Sequence, residues 1–377
     1  MSRLPSGGLI DRTRPLAFSF DGKPYSGFAG DTLASALLAN DVRLVARSFK
    51  YHRPRGIVTA GSEEPNALIT LGTGAHAEPN TRATTVPLAD GLVATSQNRW
   101  PNLSFDLMAI NQLFSPLFVA GFYYKTFMWP AAFWEKLYEP IIRRAAGLGA
   151  LSGLPDPAVY DADHGFCDLL VVGAGPAGLA AALAAGRAGE RVFLVDEDIR
   201  PGGRLLAERH EIDGNDAGGW VDATVAELAS LPNVRILPRT VLFGAYDGGT
   251  YGAVEQGRTL WKIVAKRAIL ATGAVERPLV FAGNDIPGVM TASAVQAYVH
   301  RWSVAPGKRI AIFTTSDSGR KVAADLTAAG IAPVALIDAR EGIHVTRAIG
   351  GRALKAIELS DGRRIACDTL AMAGGWN

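Results

Sequence analysis

Asp168-Leu-Leu-Val-Val-Gly-Ala-Gly-Pro-Ala-Gly178 runs a continuous apolar strand directly into a G-x-G-x-x-G turn. An alanine-rich helix is expected from Leu179 to about Ala188, then a second strand over Arg191–Val195 that ends in Asp196-Glu197-Asp198. The glycine pattern alone is weak evidence. Between a strand and a helix, with acidic residues roughly 20 positions further on, it marks the first βαβ unit of a dinucleotide-binding fold. Gly173 permits the tight turn, Gly175 lets backbone approach a pyrophosphate, and Gly178 lets the helix pack close to the strand. The amides and dipole of the helix N-terminus then face the phosphates. Asp196 stands where a carboxylate accepts hydrogen bonds from ribose hydroxyls. Its charge repels a 2′-phosphate, which favours NAD or FAD over NADP.

Two further turns belong with this unit. Pro201-Gly-Gly-Arg-Leu205 brings Gly203 and Arg204 near the cofactor, and Ala268-Ile-Leu-Ala-Thr-Gly-Ala274 is a strand closing on a Thr272-Gly273 turn. The combination resembles the two-dinucleotide-domain flavoproteins, the glutathione reductase-like group. That resemblance implies a Rossmann domain over residues 166–278 and 360–377, with a second, Rossmann-like domain (279–359) inserted into it. Arg363–Gly375 is then expected to be the strand returning to the first sheet. Arg309–Phe313 and Pro333–Ile337 read as strands of the insert, and the loop Thr314-Thr-Ser-Asp-Ser-Gly319 keeps only the last glycine of the pattern. Thr314 and Ser316 add Cβ atoms where backbone should meet phosphate, and Asp317 adds negative charge. The insert is therefore expected to keep the fold and to have lost ordinary dinucleotide binding. One working dinucleotide site and no C-x-x-C argue against a pyridine nucleotide-disulfide reductase.

Working outward, 377 residues suit about two or three domains. The 48% hydrophobic fraction and 42 glycines fit an α/β protein with many tight turns. A net charge of +2 gives no electrostatic reason to expect nucleic acid. The amino terminus lacks the apolar core of a signal peptide. The aromatic stretch Phe114–Trp134, interrupted by Lys125 and Pro130, reads as a linker packed between domains or against a partner, not as a membrane contact. Cys167 and Cys367 are the only cysteines, which fits a reducing cytoplasm, and Cys167 reads as a packed thiol. The histidines show no metal-ligand spacing, so no metal is expected, and no catalytic residue can be named. Residues 1–104 read as a small α+β domain: a strand at Leu16–Phe20, a turn at Asp21–Pro24, a helix capped by Asp31, the basic segment Arg47–Gly56, then a loop-rich stretch. Lys50, His52, Arg53 and Arg55 read as a solvated or interface face, with a flavin phosphate or acidic partner as the alternative. Residues 105–165 read as an aromatic, helical connector.

Five segments together are similar to the α subunit of heterotetrameric sarcosine oxidase. They are Gly30-Asp-Thr-Leu-Ala-Ser-Ala-Leu-Leu-Ala39, Ser48-Phe-Lys-Tyr-His-Arg-Pro-Arg-Gly56, Gly61-Ser-Glu-Glu-Pro-Asn66, Gly283-Asn-Asp-Ile-Pro-Gly-Val-Met290 and the closing Gly374-Gly-Trp-Asn377. The resemblance covers essentially the whole chain. It implies an amino-terminal domain that resembles a [2Fe–2S] ferredoxin domain without the cluster, and the sequence agrees. A plant-type C-x₄-C-x₂-C would need cysteines near positions 59, 64 and 67, where Thr59, Glu64 and Ala67 stand.

The fold class is thus α/β: a cluster-less ferredoxin-like α+β domain, then a glutathione reductase-like Rossmann domain carrying an inserted second one. The resemblance further implies oxidative demethylation of sarcosine with oxygen and tetrahydrofolate, in a complex with β, γ and δ subunits. NAD would occupy the first Rossmann domain, contacting Gly173, Ala174, Gly175, Ala177, Gly178, Asp196 and Glu197, with Arg204, Val241 and Ala373 in addition. FMN would lie at the boundary with the β subunit. Folate would bind only through a carboxy-terminal half beyond Asn377, so the chain reads as a fragment or a truncated frame, not catalytic in isolation. Asp198 stands where the family often has a basic residue. Two alternatives stay open: an FAD-dependent amino-acid or opine dehydrogenase-type subunit, and an assembly subunit with an empty Rossmann fold.

Overall fold

Phe18 and Phe20 alternate with Ala17 and Ser19, a half-buried strand pattern. In the computed structural model this strand, β1 (Asp11–Phe20), turns back through Asp21 (φ 50°) and Gly22 (φ 75°) into antiparallel β2 (Lys23–Ala29). Two successive positive φ angles make a type I′ turn, which Asp-Gly suits. The following helix start differs from expectation. Thr32, not Asp31, caps α1 (Leu33–Ala39): its hydroxyl accepts from the Ser35 amide while the Thr32 amide donates to the Ser35 hydroxyl. Asp31 instead turns inward and accepts from the Arg3 guanidinium, the Ser35 hydroxyl and the Phe28 amide. The stretch read as loop holds three strands, β3 (Leu68–Leu71), β4 (Glu78–Arg82) and β5 (Leu92–Ser96). They are short and mostly half-exposed, so they leave little periodicity to read. The sheet order is β2-β1-β5-β3-β4, with β1 and β5 parallel.

The structure describes residues 2–118, 121, 125, 127–145 and 149–377. Phe122, Tyr123 and Tyr124 of the aromatic stretch lie outside these. Among the described residues no helix is long and apolar enough to cross a membrane. The chain forms two compact units: Met1–Asp156 with Glu276–Gly375, and Pro157–Val275 with Trp376–Asn377.

The second unit is built on β6 (Asp161–Val172), which begins well before its apolar run, so residues 161–165 are strand and not connector. It leads into α2 (Pro176–Arg187), β7 (Val192–Val195), α3 (Ala217–Ser230) and β8 (Val234–Leu237). A meander follows: β9 (Thr240–Tyr246), β10 (Thr250–Glu255) and β11 (Thr259–Leu270). The sheet runs β8-β7-β6-β11-β10-β9, with β8, β7, β6 and β11 all parallel. Both faces of β6 are buried: Leu169 and Val171 pack toward Leu179 and Val221 of the two helices, Cys167 and Leu170 toward Trp261 and Ile263. That is why its inner end reads as an unbroken apolar run.

After residue 275 the chain continues in the first unit: β12 (Val289–Thr291), α4 (Ala292–Trp302), β13 (Ile310–Thr314), α5 (Asp317–Ala328) and β14 (Ala335–Asp338). An antiparallel meander, β15 (Val345–Gly350), β16 (Leu354–Leu359) and β17 (Arg364–Ala366), precedes β18 (Thr369–Ala373). Here the expected return strand is corrected. β18 pairs in parallel between β12 and β13, in the order β12-β18-β13-β14, and does not join the sheet of β6. All five of its residues are buried. Ala371 and Ala373 face a core shared with Leu33, Leu37, Tyr298 and Trp302; Leu370 and Met372 face Phe313 and Ile357. A short apolar run fits the centre of any parallel sheet, so its partner is set by packing and not by its own residues.

Candidate functional site

The three glycines of the turn are distinct in space. Gly173 has φ 101°, and a Cβ there would run into the Ala271 carbonyl oxygen. A Cβ on Gly178 would collide with the Gly173 carbonyl oxygen, so the helix lies on the strand as closely as glycine allows. At Gly175 a Cβ would meet nothing within 4 Å: the position faces open space. Gly175 is the N-cap of α2, Pro176 takes the first helical position, and no side chain caps the helix. Its leading amides are thus left for a ligand. Gly203 (φ 53°) packs against the same point, since a Cβ on it would sit 2.9 Å from the Gly175 Cα.

These turns enclose a cleft of about 610 Å³, a size suited to a small-molecule ligand. Its walls include Gly173, Gly175, Ala177, Asp196, Glu197, Gly203, Arg204, Val241, Thr272 and Gly273. Ala174 and Gly178 are buried behind the loop and do not line it. Ala373 belongs to β18 of the first unit and is fully buried there, so its assignment to this cleft is corrected. Sequence reasoning missed Pro176, Asp198, Thr240, Leu242 and Ala271, which also line the cleft. Thr240 and Leu242 arrive through the β8–β9 connection, where the Thr240 amide donates to the Asp196 carbonyl (2.7 Å), and no local motif announces them.

Asp196 proves to be a brace. One carboxylate oxygen accepts from the Ala174 amide and the other from the Asp198 amide (2.7 Å), which ties the glycine turn to the end of β7. Burial pushes its pKa up, against the pull of those two amides. The exposed carboxylate on the cleft wall is its neighbour Glu197. Arg204 lines the cleft, with its guanidinium 3.7 Å from the centre of the Trp376 ring. It is also paired with Glu208, whose other oxygen meets His210 Nε2 at 2.8 Å.

In the second loop the polar groups are engaged with one another. The Thr314 hydroxyl donates to the Ser316 carbonyl (2.6 Å) and accepts from the Ser316 amide (3.0 Å). Asp317, at the first turn of α5, pairs with Arg340. Asp338 at the end of β14 is held by Arg320 and Arg340, and the Arg340 hydrogen bond keeps its pKa far below the usual carboxylate range.

The loop at positions 59, 64 and 67 does not fit an iron–sulfur cluster. Glu64 is 1% exposed, and its carboxylate fills the space between those positions. Oε2 accepts from the Val58 and Thr59 amides (2.9 and 2.7 Å), and Oε1 from the Asn66 and Ala67 amides (2.8 and 3.0 Å). No thiolate is present, and the amides that would face an anionic cluster are already satisfied. Among the described residues no group of three or more His, Cys, Asp or Glu is placed to hold a metal ion. In the basic segment, Arg53 and Arg55 pair with Asp285, and His52 is buried on Asp106 (2.7 Å) and not solvated as expected. Both cysteines are buried free thiols, each pushed up to about 11 by burial.

Residues 13–99 match a 2Fe-2S iron-sulfur cluster binding domain, and residues 167–369 match the pyridine nucleotide-disulphide oxidoreductase family. Sarcosine oxidase subunit alpha of Rhizobium meliloti (strain 1021) is 56% identical over 405 aligned positions, covering 100% of this chain and 41% of that protein. Its namesake from Corynebacterium sp. (strain U-96) is 37% identical, covering 99% and 38%. The chain therefore spans well under half the length of these relatives. Among solved structures, L-proline dehydrogenase from P. horikoshii superposes with a TM-score of 0.72 at 22% identity, over 100% of this chain and 63% of that one, which shows a shared fold. With a family match running from strand β6 to strand β18, over more than half its length, this chain belongs to the pyridine nucleotide-disulphide oxidoreductases.

Proposed function

We propose that this chain is the nucleotide-binding portion of the α subunit of a sarcosine oxidase-type complex, and that the cleft at the α2 N-terminus holds NAD. The complex would demethylate sarcosine oxidatively with oxygen and tetrahydrofolate, together with β, γ and δ subunits. FMN would sit at the β-subunit boundary, with folate bound outside this stretch of chain. The observation that carries the reading is the 56% identity to a sarcosine oxidase α subunit along the whole chain. The cleft supports it: an uncapped helix N-terminus for a diphosphate, and Glu197 and Asp198 on the wall against a 2′-phosphate. Gly175, Ala177 and Gly203 would hold the diphosphate, Glu197 the ribose, and Val241 the base. A bound NAD would supply the nicotinamide ring. Among the described residues the lining holds no histidine or cysteine, and the part proposed for these residues is binding and orientation. Free, buried thiols suit a reducing cytoplasm.

A second reading, FAD in the same cleft of an amino-acid or opine dehydrogenase-type subunit, is favoured by one observation. The Gly173–Gly178, Gly203 and Thr272-Gly273 turns all face one cleft, an FAD-type layout. The purified chain is to be denatured and the released nucleotide identified by absorbance and mass. NAD without flavin supports the first reading, FAD supports the second, and no nucleotide, with none taken up on addition, points to an empty assembly fold.

A further inference from the structure

Gly203 packs its backbone onto Gly175, so the next residue, Arg204, is carried to the point where α2 presents its leading amides. Its guanidinium is stacked on Trp376, 3.7 Å from the ring centre, which leaves the fork donors at its edge to choose a partner. In this structure the partner is Glu208, one helical turn on: Nε donates to Oε1 at 2.5 Å, and Nη2 meets the same oxygen. Glu208 is not committed to Arg204 alone. Its Oε2 meets His210 Nε2 at 2.8 Å, so it keeps a polar partner when the arginine leaves. Arg204 is 49% exposed and Glu208 18%, so the carboxylate is the better shielded of the two.

We infer that Arg204 is the cation that receives the diphosphate of the bound dinucleotide, and that Glu208 is its internal competitor. Binding exchanges one anionic partner of Arg204 for another. This rests on the reading of the cleft as a dinucleotide site. Trp376 fixes the plane of the guanidinium and so limits the freedom lost in the exchange. Nucleotide affinity is then set below its ceiling by the strength of the Arg204–Glu208 pair. An exposed pair of this kind contributes modestly, and its removal is expected to tighten binding by roughly two- to fivefold.

The test is isothermal titration of the nucleotide-free chain with NAD and, separately, with FAD, at fixed pH and ionic strength. The proteins are wild type, Arg204→Ala, Glu208→Gln and the double variant, each checked for folding by circular dichroism and melting temperature. Arg204→Ala is expected to weaken binding by about tenfold or more, as loss of a charge-assisted contact does. Glu208→Gln is expected to tighten it, and that gain is expected to vanish in the Arg204→Ala background. Glu208→Gln that binds no more tightly than wild type, or a gain that persists without Arg204, overturns the exchange while leaving the cleft a nucleotide site. Wild type that binds neither nucleotide overturns the underlying reading instead. If Glu208→Gln does not fold, Glu208→Asp, whose shorter arm weakens the same pair, is read in its place with the same expectation.

Discussion

Gly175 and Gly178 stand three positions apart and answer to different demands. Gly175 has ordinary extended backbone and open space where a Cβ would go, whereas Gly178 is jammed against the Gly173 carbonyl. Gly175→Ala is therefore expected to melt like wild type and to lose roughly tenfold or more in nucleotide affinity. Gly178→Ala is expected to lose about 1–3 kcal/mol of stability by overpacking. Denaturant melts and calorimetric titration of both variants separate the two. Asp196 and Glu197 divide in the same way. Asp196→Asn turns an amide donor toward a backbone amide that had an acceptor, at an expected cost of about 1–3 kcal/mol in denaturant melts. Glu197→Gln should leave the melt unchanged and weaken NAD binding in titration. The position of Asp196 was legible in the sequence; its orientation was not, because it depends on which amides, those of Ala174 and Asp198, come round to meet it.

At the level of elements, the strand–turn–helix of β6 and α2 was legible because everything it needs is local: an apolar run, glycines at fixed offsets and an alanine-rich helix. β18 was not, since its place between β12 and β13 is written in their faces and not in its own residues. The strands β3 to β5 were missed for want of periodicity, and Thr240 and Leu242 for want of a motif. The edges of β6, β7 and β11 are drawn together by Asp168, which accepts from Arg191 and pairs with Lys266 at 2.8 Å. Those hydrogen bonds hold its pKa far below the usual carboxylate range. A carboxylate with a depressed folded-state pKa stabilises the fold above the ordinary carboxylate range, and that contribution fades as the pH falls through and below it. Asp168→Asn is thus expected to melt lower than wild type at pH 7, with the two converging in melts taken at progressively more acidic pH.

For the molecule as a whole, the two compact units should respond unequally to nucleotide. The cleft lies within the unit of residues Pro157–Val275, and in the other unit Thr314 and Ser316 of the second loop bond to each other while its Asp317 pairs with Arg340. Ligand that binds only the folded state raises the stability of the region it binds. Hydrogen exchange with saturating NAD is expected to slow in peptides from β6, α2 and β7, while peptides from β13, α5 and β14 keep their rates. Titration should give one nucleotide per chain. Protection spread equally over β13 and α5 would show the second loop to be in use. The Glu64 loop, finally, bears on how the amino-terminal domain is made. A loop that closes around its own carboxylate carries its organising group within the translated chain. The Val58, Thr59, Asn66 and Ala67 amides find their acceptor in the chain itself.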